Sequence, residues 1–278
     1  MMLNKFYVDD LIKTALCEDI NYVDVSSDFG LDAESTTTAY YIAKDDGVLC
    51  GLDIALRVFE LLDDDFSAKV YKHDGDKLKK GDLIADLSGH TVQLLKGERT
   101  SLNILQHMSG IASATAKAVE LVKGTNASVA DTRKTLPGLR PIQKYAVTVG
   151  GGKNHRYNLS DAAMLKDNHI DAAGSITKAI TNLRNRVGHM CKIEVETRNL
   201  SEVKEALDVH ADVIMLDNMD YDTMKQAVEM TNGAALLEAS GNITLDNIAE
   251  VAKTGVDIIS LGALTHSVKA FDISMRIK

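Results

Sequence analysis

Residues 192–218 read KIEVETRNLSEVKEALDVHADVIMLDN, and their pattern indicates the fold class. An apolar run, KIEVET, is followed by apolar residues at helical spacing in SEVKEALDVH and then by a second apolar run, DVIMLDN. Short apolar strands separated by a helix are typical of a parallel sheet whose helices lie outside it. The stretch therefore predicts a strand–helix–strand unit.

The same alternation continues from about residue 128 to the end of the chain. Its six apolar runs are ASVADT, AAMLKDNH, KIEVET, DVIMLDN, ALLEASG and DIISLGA. No G-x-G-x-x-G follows the first run, and the pattern G-x-x-x-x-G-K-S/T is also missing, which disfavours an open dinucleotide-binding sheet and an ATPase fold. A barrel of parallel strands is the favoured interpretation.

The first hundred residues follow another pattern. Short mixed segments such as HDGDKLKKGDLIADLSG predict hairpins in a smaller α+β domain. Apolar residues at helical spacing between Gly97 and Lys123 predict a helix that links this domain to the barrel.

The composition is that of an ordinary globular protein, with 45% hydrophobic residues among 278. A net charge of -9 argues against general binding to nucleic acid or anionic lipid, so neither a nucleic acid nor a membrane is an expected partner. No apolar run is long enough to cross a bilayer, and the N-terminal residues lack the apolar region of a signal peptide. The three scattered cysteines, Cys17, Cys50 and Cys191, indicate neither a zinc motif nor a disulfide framework. We expect a cytoplasmic location.

Positive charge is concentrated in one segment of this acidic chain. Residues 132–160 contain no Asp or Glu, but they do contain Arg133, Lys134, Arg140, Lys144, Lys153, His155 and Arg156. The segment also holds both prolines and the run Gly150–Gly152, where backbone N–H groups can approach phosphate or carboxylate oxygens closely. It predicts an anion pocket, and a solvated basic face is the alternative.

Polar residues follow each strand of the repeat, and the C-terminal ends of barrel strands form a single rim. These residues are Asp131–Lys134, Lys166–His169, Glu196, Asp217–Asn218, Glu238, Ser240–Gly241 and Gly262. Barrel enzymes keep their active sites on this rim, often with a phosphate site in the last two loops. Helix capping and strand ends could explain each residue singly. Their coincidence on one rim indicates an active site.

Seven motifs in order resemble one family. They are GERTSLNILQHMSGIA, DTRKTLPGLRPIQKYAVTVGGGKNHR, LKDNHI, IEVE, MLDN, LEASG and SLGALTHS. From about Leu95 to the end, the chain closely resembles the quinolinate phosphoribosyltransferases. The resemblance implies an α/β fold in which a small N-terminal α+β domain, 1–108, precedes a partly open α/β barrel, 109–269, while 270–278 packs back on the first domain. It also implies a homodimer with shared active sites, or a hexamer.

The reaction implied by the resemblance joins quinolinate to phosphoribosyl pyrophosphate in the presence of Mg²⁺. The products are nicotinate mononucleotide, pyrophosphate and CO₂, within NAD biosynthesis. Arginine forks and lysine charges are suitable partners for the two adjacent carboxylates of quinolinate. The resemblance implies that quinolinate or phosphate groups contact Arg133, Lys134, His155, Arg156 and Lys166, and that Arg99 reaches across from the partner subunit.

The remaining site residues follow from the chemistry of the second substrate. Glu196 and Asp217, at the ends of consecutive strands, are the candidate Mg²⁺ ligands, and Glu194 on the same strand face either assists or lines the barrel. Catalytic roles are expected for Lys134, Lys166, Glu196 and Asp217. The 5′-phosphate is expected at Ser240, Gly241, Gly262, Ala263 and His266. For His266 a structural cap is the alternative, and Asn242 stands where many family members have a second Gly.

Two other functions remain open from the sequence. One is a related barrel phosphoribosyltransferase with another substrate, although Lys166–His169 and the intact basic segment favour quinolinate. The other is a non-enzymatic barrel that senses phosphorylated metabolites. A sensor would need the anion-binding groups but not the carboxylates Glu196 and Asp217, so their presence favours an enzyme.

Overall fold

A computed structural model describes residues 3–278. The first part of the chain contains α1 Lys5–Ile20, α2 Val25–Gly30, β1 Thr36–Ala43, β2 Gly47–Val48, α3 Leu52–Glu60, β3 Ser67–Val70, β4 Lys77–Leu78, β5 Leu83–His90 and α4 Thr91–Leu121. The remainder contains β6 Ser128–Ala130, α5 Arg140–Val149, β7 Ala163–Leu165, α6 Asp167–Ala173, α7 Ile176–Arg184, β8 Ile193–Thr197, α8 Leu200–Asp208, β9 Val213–Asp217, α9 Tyr221–Thr231, β10 Leu236–Ser240, α10 Ile248–Ala252, β11 Ile258–Ser260, α11 Ala263–His266 and β12 Ile273–Ile277.

These elements form two compact units. The first unit comprises residues up to 116 together with 135–151 and 265–278, and the second comprises 117–134 and 152–264. The boundary expected from the sequence, at 108/109, stays a prediction. Within residues 3–278, none of the helices combines the length and apolarity that crossing a bilayer requires.

The first unit is built around an antiparallel sheet with the strand order β12-β1-β5-β3. β1 is rich in threonine and tyrosine, which favour extended backbone, and its inward residues include the fully buried Tyr41. α3 and the first part of α4 cover the sheet, so that Phe59 and Leu105 join Tyr41 in one apolar core. The helix predicted between Gly97 and Lys123 is confirmed as part of α4.

The second unit contains all six strands of the predicted repeat. They form a sheet in which every pair is parallel, with the order β6-β11-β10-β9-β8-β7. β6 and β7 are consecutive in the chain but lie at the two ends of this order, so the barrel is partly open, as expected. The residues on both faces of β8 are largely buried, because helices cover its outer face and polar side chains fill the interior.

The second unit's helices pack outside the sheet through one apolar stripe each. On α8, Val203 and Ala206 are buried, whereas Lys204 and Asp208 face solvent as an ion pair. Asn199 caps the start of this helix by accepting a hydrogen bond from the N–H of Glu202. The outward helices leave the C-terminal ends of the strands uncovered, and the polar residues lie there.

Candidate active site

A cavity of about 490 Å³ lies at the C-terminal ends of the parallel strands, wholly within the second unit. Its lining comes from five of the six strand ends and from the segments that follow them. The lining residues are Thr132, Arg133, Lys134, His155, Arg156, Met164, Lys166, Glu196, Met215, Asp217, Asn218, Glu238, Ser240, Gly241, Asn242 and Ser260. The volume is sufficient for a small-molecule ligand.

One wall of the cavity is cationic. Arg133 and Lys134 follow β6, Arg156 lies after the glycine run, and Lys166 stands at the N-terminus of α6. Burial, together with the nearby guanidinium of Arg133, lowers the pKa of Arg156. Like charges held this close together are stabilised by an anion placed between them. This wall can therefore bind carboxylate or phosphate groups.

The segment 152–156 is held against β6 by a buried aspartate. Asp131 is fully buried at the end of β6, where one carboxylate oxygen accepts the backbone N–H of His155 at 2.9 Å and the other accepts the Asn154 amide at 2.6 Å. Lys153 forms a parallel bridge with Ala130, so the segment partly fills the open side of the barrel. These bonds fix the backbone that presents His155 and Arg156.

The basic segment proves to be divided between the two units, which corrects its interpretation as one anion pocket. Residues 135–151 belong to the first unit, and they include Arg140, which donates to Thr135, and Lys144, which is fully buried. Of the basic residues and the histidine of this segment, Arg133, Lys134, His155 and Arg156 line the cavity. Basic residues are spread evenly along the segment, so the sequence gives no sign that it is divided between two units. The division arises because α5 belongs to the first unit and has one buried face.

Another part of the cavity lining is acidic. Glu196 on β8 and Asp217 on β9 end neighbouring strands, and Lys166 Nζ lies 3.5 Å from Glu196 Oε2. Burial is the main cause that raises the pKa of Glu196; Lys166 opposes this rise and Asp217 adds to it. Both carboxylates line the same cavity. Their hard oxygen atoms suit Mg²⁺.

Asn218 connects this acidic part of the lining to the loop after β10. Its amide donates to Asp217 Oδ2 at 2.9 Å, and its carbonyl oxygen accepts the Asn242 amide at 2.9 Å. Asn218 and Asn242 both have left-handed backbone, with φ of 53° and 52°, which Asn tolerates well. Asn242 thus takes the backbone conformation for which Gly is usual and adds a side-chain bond.

His155 lines the cavity and lies beside two buried carboxylates, Glu194 and Glu238. His155 Nε2 lies 3.0 Å from Glu194 Oε2 and 3.6 Å from Glu238 Oε1. Its Nδ1 accepts the backbone N–H of Arg156 at 2.7 Å. Burial, followed by the neighbouring Glu194, raises the pKa of Glu238 to about 7.

The structure gathers most of the expected site residues in this cavity. Those lining it are Arg133, Lys134, His155, Arg156, Lys166, Glu196, Asp217, Ser240 and Gly241. Among the described residues, Gly262 and Ala263 of the second unit are not part of its lining, and Arg99 and His266 belong to the first unit. Arg99 is exposed on α4, and His266 Nδ1 is 2.7 Å from Ser267 Oγ. The functional roles given to all these residues stay predictions.

Sequence reasoning placed Glu238 and Asn218 on the rim but gave neither a function. Glu238 precedes Ser240 by two residues, so both side chains point into the barrel, just as Glu194 and Glu196 do on β8. That alternation could have identified Glu238. No sequence signal links Asn218 to Asn242, because their contact joins loops 24 residues apart.

The fold and this cavity define an α/β-barrel enzyme that handles anionic substrates at the ends of its strands. Models of the quinolinate phosphoribosyl transferase N-terminal and C-terminal domains match residues 24–109 and 111–276. The chain belongs to the quinolinate phosphoribosyltransferase family.

Individual relatives agree with this membership. The Bacillus subtilis protein named "Probable nicotinate-nucleotide pyrophosphorylase (carboxylating)" is 44% identical over 99% of this chain and 95% of its own length. A mitochondrial quinolinate phosphoribosyltransferase (decarboxylating) of Nicotiana tabacum is 40% identical over 96% of this chain and 81% of its own length. The crystal structure of NadC from Streptococcus pyogenes matches with a TM-score of 0.97 and 43% identity, covering 100% of this chain and 99% of that one.

Proposed function

We propose that this protein transfers the phosphoribosyl group of phosphoribosyl pyrophosphate to quinolinate and releases CO₂, forming nicotinate mononucleotide and pyrophosphate. One observation carries the proposal: in a chain of this family, a group of cationic side chains and the carboxylates Glu196 and Asp217 line a single cavity at the strand ends. Two anionic substrates and a divalent cation need both kinds of group.

The cationic wall suits the substrate with two adjacent carboxylates. Arg133 and Arg156 offer planar guanidinium groups, which match carboxylates in two-pronged hydrogen bonds. Lys166 and Lys134 add positive charges on flexible side chains, which can pair with either carboxylates or phosphates. Burial and the neighbouring guanidinium of Arg133 lower the pKa of Arg156, and an anion bound beside these two groups would stabilise their positive charges.

In the proposed reaction, the ribose C1–oxygen bond breaks with both electrons going to the departing pyrophosphate. The lone pair of the pyridine nitrogen forms the new bond to C1, and the ring becomes a pyridinium. The bond from ring carbon 2 to its carboxylate then breaks, the pyridinium stabilises the electron pair left on that carbon, and a proton replaces the CO₂. The chain's own contribution is to position the reactants and to provide preorganised charge, without a covalent intermediate.

We also propose Mg²⁺ as the cofactor, held by Glu196 and Asp217. The fit rests on two carboxylates that end adjacent strands and line the same cavity. Bound there, Mg²⁺ would neutralise charge on the departing pyrophosphate. Asn218 keeps one oxygen of Asp217 oriented by donating to it.

A homodimer is part of the same proposal. Large apolar side chains of the first unit are exposed on α1, on α2 and between them, including Phe6 at 82% and Phe29 at 76%. Such surfaces are typical of protein interfaces. A cytoplasmic location is proposed as well, because Cys17, Cys50 and Cys191 are all free thiols, which suits a reducing compartment.

The decisive experiment follows CO₂ release from quinolinate labelled in its 2-carboxylate. The protein is incubated with phosphoribosyl pyrophosphate and Mg²⁺, and a parallel sample lacks the sugar donor. We expect donor-dependent release together with nicotinate mononucleotide. Binding of both substrates without release would indicate a sensor, and turnover of another acceptor alone would indicate a related transferase.

Lys166, one of the two lysines of the cationic wall, is suited to a mutational test. We expect Lys166→Ala to reduce turnover on the order of 100-fold, because a preorganised charge is lost from the cavity. The side chain is half exposed, so its loss should leave the melting temperature nearly unchanged. Lys204→Ala, which removes an exposed lysine from α8, is the matched control. Equal turnover in the two variants would contradict the role of Lys166.

The cofactor proposal has its own test. We expect chelation to abolish CO₂ release and added Mg²⁺ to restore it. Glu196→Gln should raise the Mg²⁺ concentration needed for half-maximal rate by about tenfold or more, because a charged ligand becomes neutral. Glu202→Gln, on the outer helix α8, should leave that concentration unchanged. A Glu196→Gln enzyme with the wild-type Mg²⁺ requirement would exclude Glu196 as a ligand.

A further inference from the structure

Two buried carboxylates beneath the cavity have no part in the reaction proposed above. Glu194 on β8 is 7% exposed and Glu238 on β10 is 2% exposed. On each of them, Oε1 is buried and makes no hydrogen bond within the described residues. Burying carboxylates in this way is unfavourable unless they interact with a positive or donating group. Their placement therefore calls for an explanation.

The common neighbour of the two carboxylates is the ring of His155. This ring separates the substrate cavity from a second cavity of about 360 Å³, since His155 and Glu238 line both. The second cavity is lined by residues at the start of the strands, such as Val213 and Ile258, and so lies toward their N-terminal ends. The ring and the carboxylates form a polar layer across the barrel.

Hydrogen bonding defines which ring nitrogen of His155 carries the proton. Nδ1 accepts the backbone N–H of Arg156 at 2.7 Å, and a nitrogen that accepts a hydrogen bond has no proton of its own. The ring proton is therefore on Nε2, which faces Glu194 at 3.0 Å and Glu238 at 3.6 Å. The two carboxylates select this tautomer.

The same geometry argues against a metal ion at this cluster. His155, Glu194 and Glu238 have ligand atoms within 4.8 Å of one another, and their types suit a transition metal. A protonated Nε2 cannot bind a metal, however, and Nδ1 is already used by Arg156. A role in orienting the ring is consistent with every contact.

We propose that Glu194 and Glu238 are positioning residues that hold His155 in its Nε2–H tautomer, so that Nδ1 fixes the backbone of Arg156 and directs its guanidinium toward the quinolinate carboxylates. The guanidinium is held from its other side as well, because Nη1 donates to the carbonyl oxygen of Ala162 at 3.0 Å. Asp131 fixes the backbone N–H of His155. Arg156 thus depends on a chain of bonds that begins at the buried carboxylates.

This inference rests on the proposed function for its kinetic consequences. We expect Glu194→Gln to raise the KM for quinolinate about tenfold or more, while the KM for phosphoribosyl pyrophosphate changes less than about twofold. Glu238→Gln should act in the same direction but more weakly, because Glu238 is farther from Nε2. Glu202→Gln, which neutralises a carboxylate on α8, is the matched control and should change neither constant.

A spectroscopic measurement tests the inference without turnover. Nitrogen NMR of ¹⁵N-histidine wild-type protein, with the His155 signal identified by its loss in His155→Asn, should show the Nε2–H tautomer. In Glu194→Gln, the signal should move toward a mixture of tautomers. The Nδ1–H tautomer in the wild type would overturn the inference.

The kinetic outcomes separate the two proposals. A wild-type enzyme that releases no CO₂ refutes the proposed function. The NMR measurement of the His155 tautomer still tests the positioning role independently. A wild-type enzyme that is active, with an unchanged KM for quinolinate in Glu194→Gln, refutes the positioning role. An equal rise in both KM values with a lowered melting temperature would show a merely structural role and would also refute it.

Discussion

At the level of single residues, the candidate site includes side chains that hold other site residues in place. Asn218 joins the candidate ligand Asp217 to Asn242 in the next loop, and Asp131 orients the backbone of His155. The sequence could predict the cations and carboxylates, because their charge shows what they bind. It could not predict these connections, since a neutral amide or a buried aspartate acquires a role only from its neighbours in space.

Gly241 illustrates how closely the loop after β10 is packed. Its φ is +91°, and a Cβ atom placed there would lie about 2.3 Å from Asn218 Oδ1. We expect Gly241→Ala to displace Asn218 and to cost about 1–3 kcal/mol through backbone strain. The KM for phosphoribosyl pyrophosphate should therefore rise, as steady-state kinetics would measure. Gly188→Ala, at an open position of the same unit, is the control, and equal behaviour of the two variants would contradict this account.

At the scale of elements, the strands of the second unit were predictable because each is an apolar run followed by a polar residue. β8 and β9 begin and end within one or two residues of KIEVET and DVIMLDN. The allocation of α5 was not predictable. Its amphipathic pattern shows that one face is buried but not against what, and Gln143 is fixed by distant partners, the His107 ring at 2.9 Å and the carbonyl oxygen of Thr265 at 3.0 Å.

The junction between β5 and α4 is held by an aspartate from the loop after α3. Asp63 is 8% exposed and accepts the backbone N–H of His90 at 2.7 Å, and its other oxygen lies 2.9 Å from His90 Nδ1. Burial opposes ionisation of Asp63, but the bonds from His90 prevail and lower its pKa. The bond to Asp63 in turn raises the pKa of His90. The pair should therefore stabilise the first unit in a pH-dependent way.

The sign of the pH dependence follows from both shifts. The contribution of Asp63 is present above the ordinary carboxylate pKa and is lost as the pH falls through its lowered value, whereas that of His90 is lost as the pH rises through its raised value. The pair is most stabilising between about pH 4 and about pH 6.5. We expect the free energy of unfolding lost in Asp63→Asn, measured with urea, to be larger near pH 5 than near pH 9. Asp208→Asn, on an exposed ion pair, should show little change, and a pH-independent loss in Asp63→Asn would contradict the argument.

At the level of the whole molecule, the charged residues that line the cavity of the second unit meet at one end of the barrel. The sheet stops between β6 and β7, and the bridge from Lys153 to Ala130 brings the segment 152–156 to this open side. A sequence pattern in which strands and helices alternate predicts a barrel. It does not predict between which two strands the barrel stays open. The gap is what admits His155 and Arg156 into the interior, so the incomplete barrel is part of the site.

The proposed homodimer shares its active sites, and this sharing has a measurable consequence. If Arg99 completes the site of the partner subunit, Arg99→Ala and Lys134→Ala should each inactivate the pure dimer. A mixed dimer of the two variants has one site that lacks both side chains and one site that is intact. Random exchange makes about half the dimers mixed, so activity should recover to about a quarter of the wild-type value after unfolding and refolding the two variants together. Mixtures without a refolding step serve as the control. No recovery, although mass measurement shows mixed dimers, would mean that Arg99 and Lys134 of the same chain serve the same site.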